Sequence, residues 1–344
     1  MATWSVSGCW RCCRRDGWPI AGEPVARATN RSPQHAVMDI LDVLKTRAKR
    51  NEPMARYTTA RIGGPADLLV DARATDELVA LVNRADEMGL PCIVIGGGAN
   101  ILVSDAGVRG LVILNRTREV RFAVKDLSAR VEADSGVVLA TLARDCIERG
   151  LAGVEWAIGV PGTVGGAVVG NAGAHGTEVA TNLNMARIMR RGGQPEYWTP
   201  RQLAFAYRQS ALKQYRPEER PVVLGALFDL KRDHRVNLER RAAEFQARRR
   251  ASQPPGATMG SMFKNPPGDY AGRLIDACGL KGAQRGGAMI SPAHANFFVN
   301  ATGQAMAADV KALIDLARAA VLERFAIRLE LEVELIGEWG KEEG

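Results

Sequence analysis

The stretch that most constrains the fold of this chain is GVPGTVGGAVVGNAGAHG, residues 159–176, in which seven of the eighteen residues are glycine. A chain uses glycine where its backbone must turn sharply or lie close against another group. The exposed N–H groups of such a loop can form a concavity that binds an anion, and phosphate is the natural candidate. The alternative is that the glycines only mark turns of a twisted α/β fold.

A second glycine-rich loop, GGGANILVSD at residues 96–105, follows the apolar run of residues 91–95, which predicts a buried strand. Two such loops indicate a large cofactor that is held from two sides. The loop at 96–105 is not a Rossmann fingerprint, because its three glycines are consecutive and the residues after them look extended. No G-x-x-x-x-G-K-[ST] phosphate loop occurs either. The two commonest kinds of nucleotide-binding enzyme are therefore disfavoured.

Composition limits the class of protein. The 344 residues are enough for two or three domains, and 46% apolar and 24% charged residues are typical of a soluble globular protein. No apolar run approaches the roughly 18 residues that span a bilayer, so no membrane partner is expected. Basic residues exceed acidic ones by 46 to 38 but are mostly scattered. This pattern favours anionic small molecules over nucleic acid as ligands.

The six cysteines do not form a disulfide framework. Cys92, Cys146 and Cys278 are isolated in apolar segments, as expected for reduced thiols in the cytoplasm. The C-x-x-C-C group at positions 9–13 lacks a fourth ligand, so no metal site is expected. It belongs to a leader, residues 1–37, whose composition predicts disorder. We expect the true start of the protein near Met38.

The periodicity of the remaining chain predicts an ordered series of helices and strands. Helices are predicted at 38–50, 76–88, 137–149, 233–253, 270–278 and 304–325. Strands are predicted at 68–70, 91–95, within 111–134, and at 184–190, 221–230, 296–299 and 329–336. Alternation along the last strand would place Glu330, Glu332 and Glu334 on one face, and spacing alone does not choose among them.

Eight motifs in a fixed order resemble one enzyme family over about residues 40–337. They are RIGGPA (61–66), GGGANILVSD (96–105), IGVPGTVGGAVVGNAGAHG (158–176), FAYRQS (205–210), GSMFKNP (260–266), LKG (280–282), HANF (294–297) and EVELIG (332–337). Together they resemble the UDP-N-acetylenolpyruvoylglucosamine reductase family. The short connection between Ser210 and Val222 is similar to the subgroup that lacks the long substrate-covering loop with its tyrosine.

The resemblance implies an α+β fold: a two-part FAD-binding region of the vanillyl-alcohol-oxidase type, followed by an α+β substrate domain. It implies boundaries at 38–232 and 233–344. The implied activity is NADPH-dependent reduction of UDP-N-acetylglucosamine enolpyruvate to UDP-N-acetylmuramate, a step of peptidoglycan precursor synthesis. The implied cofactor is non-covalent FAD, and the implied enzyme is a cytoplasmic monomer. The rivals are a flavin oxidase of the same fold and a non-catalytic flavin-binding relative.

The resemblance also assigns roles to single residues. It makes Ser261 the proton donor, Arg208 the group that polarises the substrate carboxylate, and Glu332 the carboxylate that assists charge development at the enolate carbon. The substrate-binding residues implied are Tyr207, Lys264, Asn265 and His294. The cofactor-binding residues implied are Arg61, Gly63, Gly64, Gly96, Gly97, Gly98, Ala99, Asn100, Ile101, Gly159, Pro161, Gly162, Gly165, Gly166, Asn171, Ala172 and Gly173.

Three positions depart from the family pattern. Ser252 stands where a lysine is usual, His175 where an aromatic residue is common, and Ala60 where a larger apolar residue is found. Among nearby residues, Arg248 to Arg250 are candidates to supply the charge that the missing lysine would give a diphosphate or a carboxylate.

Overall fold

A computed structural model describes residues 44–339. The leader, the cysteine group at 9–13 and residues 38–43 of the predicted first helix lie outside the described residues. That helix was predicted to run to residue 50, which is wrong at its end. Lys49 and Arg50 instead begin a strand whose register pairs Lys49 with Leu69. Pairing with the edge of a sheet outweighs the weak helical spacing here.

Eighteen strands are present in the described part of the chain. They are β1 Lys49–Pro53, β2 Pro65–Ala72, β3 Cys92–Ile95, β4 Ile101–Val103, β5 Val108–Asn115, β6 Val120–Lys125, β7 Ser128–Asp134, β8 Leu151–Ala152, β9 Gly173–Ala174, β10 Thr177–Glu178, β11 Leu183–Met189, β12 Pro195–Trp198, β13 Val222–Arg232, β14 Thr258–Ser261, β15 Gln284–Arg285, β16 Ala288–Ile290, β17 Phe297–Asn300 and β18 Glu334–Ile336.

Eight complete α-helices lie within residues 44–339, and five of them match predicted helices to within three residues at each end. They are α1 Thr75–Glu87, α2 Leu139–Glu148, α3 Val164–Gly170, α4 Val179–Asn182, α5 Pro200–Leu203, α6 Arg235–Ser252, α7 Ala271–Ala277 and α8 Ala307–Phe325. Short 3₁₀ turns lie at Met54–Tyr57, Glu155–Ala157 and Ala211–Gln214. None of these helices is at once long and apolar enough to cross a membrane.

The first sheet has the strand order β1-β2-β5-β3, and its last three strands are parallel. Residues 111–114 of β5 are all buried because both faces of the sheet are covered. Helix α1 covers one face with an apolar stripe of Leu78, Leu81, Val82 and Ala85. This arrangement fixes the carboxyl end of β3, from which the glycine loop at residues 96–105 departs.

The second sheet is antiparallel, in the order β12-β11-β13-β7-β6, and β8 pairs with the end of β13. Helices α2 and α3 pack into its core. The glycine-rich run at 159–176 was predicted as one long loop, but its centre forms α3. Val164, Ala167 and Val168 are buried at helical spacing, and burial of this apolar face stabilises a helix despite its glycines.

The third sheet is antiparallel, in the order β14-β17-β16-β15, and is covered by α7 and α8. The predicted final strand at 329–336 is mostly wrong. Only Glu334–Ile336 is a strand, and it pairs in parallel with β4, whereas Leu331 forms an isolated bridge to Phe263. The chain therefore changes partner between Leu331 and Glu334. The three glutamates do not share one strand face.

The C-terminal segment meets the first sheet where three glycines cross. A Cβ atom on Gly107 would overlap the carbonyl oxygen of Pro65, and one on Gly337 would overlap the carbonyl oxygen of Gly107. A Cβ on Gly64 would overlap the carbonyl of Asp105. The amide of Glu338 donates to the Gly107 carbonyl oxygen at 3.3 Å. The backbones thus approach closely because side chains are absent, which seats β18 beside β4.

Gly107→Ala tests this crossing. Gly107 has φ +87°, so alanine adds both a left-handed backbone and an overlap with Pro65. We expect the free energy of unfolding to fall by about 1–3 kcal/mol, measured by urea denaturation. Gly170→Ala is the control, since its Cβ would meet nothing within 4 Å and α3 would gain helix propensity. Equal destabilisation by both substitutions would contradict the crossing.

Candidate active site

A cleft of about 590 Å³ lies at the carboxyl end of β3, where both glycine-rich segments reach it. The C-terminal segment at 332–336 and the end of α6 complete its walls. Most of the predicted cofactor residues line it. They are Gly96, Gly97, Gly98, Ala99, Asn100, Ile101, Pro161, Gly162, Gly165, Gly166, Ala172 and Gly173.

The two glycine loops pack directly against each other. A Cβ atom on Gly97 would lie 3.0 Å from the Cα of Gly162, and one on Gly96 would overlap the Thr163 side chain. On the other side, a Cβ on Gly166 would have only Thr163 Oγ1 near it, at 3.9 Å, so this glycine faces open space. Some glycines therefore allow the loops to meet, and others leave room in the cleft.

The character of the cleft matches a flavin dinucleotide. Ile93, Ile95 and Val160 give apolar wall, which a flat ring system requires. Arg191 lines the same cleft, and its buried Nε has no hydrogen-bond partner within residues 44–339. Cationic groups and loop amides are what a pyrophosphate requires. The described lining contains no cysteine, and His175 is its single histidine.

Five predicted cofactor residues lie outside this lining. Arg61, Gly63 and Gly64 belong to the turn that joins Thr58 to β2: the Arg61 amide donates to the Thr58 carbonyl, and the Gly64 amide donates to Ser104. Gly159 lies against Arg249 instead.

Asn171 is the fifth, and it is fully buried. Its Nδ2 donates to the Ala206 carbonyl at 3.0 Å, and its Oδ1 accepts from the Ala180 amide at 3.1 Å. Both polar atoms are used by the protein. Asn171 therefore supports the turn that follows Ala206, rather than facing the cleft as predicted.

Three residues predicted to be catalytic, Arg208, Ser261 and Glu332, all line the cleft. Arg208 Nε lies 2.8 Å from Glu332 Oε1, and Arg208 Nη2 donates to the Gly173 carbonyl at 2.6 Å. The guanidinium is thus held between the Glu332 carboxylate and the Gly173 carbonyl at the wall of the cleft.

The turn that carries Arg208 is strained and strongly held. Arg208 has φ +55°, which is uncommon for a residue other than glycine. Ala206 and Gln209 exchange two backbone hydrogen bonds of 3.0 Å, and Ser210 Oγ donates to the Val169 carbonyl. Strain of this kind persists where the surroundings over-determine the backbone, and here it aims one guanidinium into the cleft.

Glu332 is held through its main chain as well as its carboxylate. Its amide donates to Met262, and its carbonyl accepts from Asn100 Nδ2 at 3.0 Å and from Lys213 Nζ at 3.4 Å. Burial raises the pKa of the Glu332 carboxyl above its usual value, and the neighbouring Arg208 and Lys213 cations oppose that rise. The carboxylate thus sits in a desolvated position that its cationic partners stabilise.

The sequence analysis did not single out the charged lining residues Arg191, Lys213 and Arg220, and it placed Glu334 on the same face as Glu330. Glu334 Oε2 accepts from Arg220 Nη1 at 2.9 Å, and Glu334 Oε1 lies 3.6 Å from Lys213 Nζ. Burial lowers the pKa of Lys213, and Glu334 opposes that shift. No local pattern marks Lys213 or Arg220, because the 3₁₀ turn Ala211–Gln214 and the segment before β13 meet β18 only in the tertiary structure.

The four predicted substrate residues do not line the cleft. Lys264 Nζ pairs with Glu330 at 3.2 Å, and Asn265 Oδ1 accepts from the Ala271 amide. His294 Nδ1 accepts from the Asn296 amide, and burial lowers its pKa. Tyr207 is half-exposed and flanks the Arg208 guanidinium.

Glu334→Gln and Glu330→Gln form a matched pair. The predicted alternation placed both on one strand face, but the Glu334 side chain is 18% exposed and that of Glu330 is 75% exposed. Glu334→Gln leaves two enclosed cations without a counter-charge, so we expect a loss of about 1–3 kcal/mol in unfolding free energy. Glu330→Gln should cost less than about 1 kcal/mol. Urea denaturation measures both, and equal small losses would contradict the cluster.

Comparisons with known proteins agree along most of the chain. The family model described as "UDP-N-acetylenolpyruvoylglucosamine reductase, C-terminal domain" matches residues 252–336, and the one described as "FAD binding domain" matches residues 66–195. A UDP-N-acetylenolpyruvoylglucosamine reductase of Chloroflexus aurantiacus is 44% identical over 287 residues, covering 83% of this chain and 96% of the relative. The reductase of Rubrobacter xylanophilus is 43% identical, covering 85% and 96%.

A solved structure gives the same result. The UDP-N-acetylenolpyruvylglucosamine reductase of Thermus caldophilus superposes with a TM-score of 0.71 at 37% identity, covering 84% of this chain and 99% of that one. The predicted α+β fold with an FAD-binding region is confirmed by these matches.

Proposed function

The chain belongs to the UDP-N-acetylenolpyruvoylglucosamine reductase family, and we propose that it uses NADPH and FAD to reduce UDP-N-acetylglucosamine enolpyruvate to UDP-N-acetylmuramate. The observation that carries the proposal is that Arg208, Ser261 and Glu332 meet in the cleft walled by the glycine loops. The reaction adds a hydride and a proton across the enolpyruvyl C=C bond. FAD, when bound, supplies the hydride chemistry.

The same comparisons support the predicted division into two domains. We propose that residues 38–232 hold FAD and that residues 233–344 hold most of the substrate, since the two family models match within these ranges. We propose that the enzyme acts as a monomer in the cytoplasm, where isolated thiols such as Cys92 and Cys146 stay reduced.

Arg208 is proposed to bind the substrate carboxylate. Hydride addition places negative charge on the neighbouring carbon, and the charge spreads into that carboxylate as an enolate. A guanidinium held in place before the reaction stabilises this charge without reorganisation. The over-determined turn of Arg208 and its place in the cleft wall support this role.

Ser261 is proposed to donate the proton to the enolate carbon. It ends β14, in register with Phe297, so a sheet rather than a mobile loop holds its hydroxyl at the cleft. A serine is a weak acid, and the alkoxide that it forms needs nearby positive charge. Lys264, three residues after Ser261, pairs with Glu330 and lies outside the cleft lining. The lining cations Lys213 and Arg208 are the alternative within the cleft.

Glu332 is proposed to act beside Arg208 at the reacting carbon. Its desolvated carboxylate can assist charge development there, and its ion pair fixes the direction of the guanidinium. Lys213 acts as a positioning residue, because it holds the Glu332 carbonyl oxygen and balances Glu334.

Ser261→Ala should separate the two half-reactions. NADPH reduces the flavin before the substrate carbon is protonated, so flavin reduction should stay near the wild-type rate. Substrate-dependent reoxidation should slow by about 10²–10⁴-fold, because the positioned proton donor is lost. Stopped-flow absorbance of the flavin follows both steps in one protein.

Thr258→Val is the matched control on the same strand. The Thr258 hydroxyl is buried without a hydrogen-bond partner in the described structure, and the residue does not line the cleft. Both half-reactions of this variant should match the wild type. Equal slowing of both steps in Ser261→Ala would mean that the serine organises the flavin site and donates no proton.

A further inference from the structure

The carboxyl-terminal end of α6 borders the cleft with an unusual run of basic residues. Arg248 and Arg249 line the cleft together with Ser252 and Gln253, whereas Arg250 is exposed and lies outside the lining. The family resemblance leads one to expect a lysine at position 252. Ser252 carries no charge, and its hydroxyl donates to the Arg248 carbonyl at 2.9 Å. The structure therefore distinguishes among the three arginines.

Arg249 differs from the other arginines of this helix in its partners. Arg241 pairs with Asp233 at 2.7 Å and with Glu155 at 3.1 Å, and Arg235 pairs with Glu239. Within residues 44–339, no carboxylate pairs with Arg249. Burial lowers its pKa, and no anion offsets that shift. A partly buried cation without a counter-charge is unfavourable unless a ligand supplies one.

The position of Arg249 relative to the glycine-rich segment is defined by two contacts. A Cβ atom on Gly159 would lie 3.8 Å from both Cδ and Nε of Arg249, so the side chain lies along that backbone. One helical turn earlier, the ring of Phe245 stacks on His175 with a centroid separation of 4.3 Å. This stack fixes the end of α6 over the segment. Burial and the nearby Arg249 and Arg248 lower the pKa of His175.

We propose that Arg249 forms a diphosphate-binding subsite at this end of the cleft, replacing the lysine that position 252 lacks. The ligand is a nucleoside diphosphate ester, which the pyrophosphate of FAD and the diphosphate of the UDP-sugar both contain. A guanidinium can donate to two phosphate oxygens at once. The subsite deepens the proposed function and rests on it, since that function supplies both ligands.

Stabilisation of the helix end is the competing explanation, because a cation near a helix carboxyl terminus interacts favourably with the helix dipole. Arg250 satisfies that role from an exposed position. The helix-dipole explanation does not account for the partial burial of Arg249 against Gly159 without a carboxylate partner. The two explanations differ in what Arg249→Ala changes.

The test compares Arg249→Ala and Arg249→Lys with the control Arg250→Ala. The first arm titrates apo-protein with FAD and with riboflavin, which lacks phosphate, and follows flavin fluorescence. The second arm titrates the holoenzyme with UDP and with uridine by calorimetry. Arg249→Ala should weaken FAD or UDP binding about ten- to hundred-fold, with riboflavin and uridine unchanged. Arg249→Lys should recover part of the loss.

A charge relocation separates binding from folding. In the double variant Arg249→Ala/Ser252→Lys, the diphosphate affinity should recover at least tenfold, because a cation returns to the same wall. A loss confined to FAD assigns the subsite to the cofactor, and a loss confined to UDP assigns it to the substrate. Unchanged FAD and UDP affinities, equal losses for riboflavin and uridine, or an equal effect of Arg250→Ala would overturn the subsite. A wild-type protein that binds neither FAD nor UDP would contradict the proposed function itself.

Discussion

The ion pair between Arg208 and Glu332 is the contact on which the candidate site depends. Arg208 belongs to a strained turn that comes after the glycine-rich segment 159–176, and Glu332 belongs to the short non-strand stretch that precedes β18. The ion pair joins these two parts of the chain. Each partner is held by further contacts: Arg208 by the Gly173 carbonyl, and Glu332 by Met262 and Asn100. An enclosed ion pair is stabilising only when such additional hydrogen bonds offset the cost of desolvation. The ion pair therefore forms only when both segments have adopted their folded conformations.

The cleft as a whole carries more positive than negative charge. Its described lining contains six cations and two carboxylates, and both carboxylates are engaged by cations. The cations of the lining are Arg191, Arg208, Lys213, Arg220, Arg248 and Arg249. Such an excess is costly in an empty site and favourable once anionic groups enter it. FAD, NADPH and a UDP-sugar carboxylate are all anions, which agrees with the proposed chemistry.

The sequence predicted those features that local patterns encode. The stripe at Leu78, Leu81, Val82 and Ala85 predicted α1, and the consecutive glycines at 96–98 predicted a close approach that the packing against Gly162 explains. The alternation of glutamates near the C-terminus gave a wrong prediction of a strand at 329–336. Only β18 is a strand there, because it pairs with β4 and the residues before it do not continue the strand. Strand pairing between distant segments is tertiary information, which a period-2 pattern does not contain.

Residue type was also insufficient where a polar side chain serves the protein's own backbone. Asn171 lies among glycines that line the cleft, yet both of its polar atoms are used to hold the turn before Arg208 and the start of α4. Lys213 is one of nine lysines in the sequence and becomes distinctive only by its neighbours Glu332 and Glu334. Roles of this kind depend on three-dimensional partners.

The most direct measurement of the central claim is a double-mutant cycle on substrate-dependent flavin reoxidation. The cycle uses Arg208→Gln, Glu332→Gln and the double variant, each loaded with FAD and reduced by NADPH before substrate is added. If the two side chains act as one ion-paired unit at the reacting carbon, the double variant should be about as slow as the slower single variant. Losses that multiply, so that the double variant is slowed by the product of the two single effects, would contradict the account.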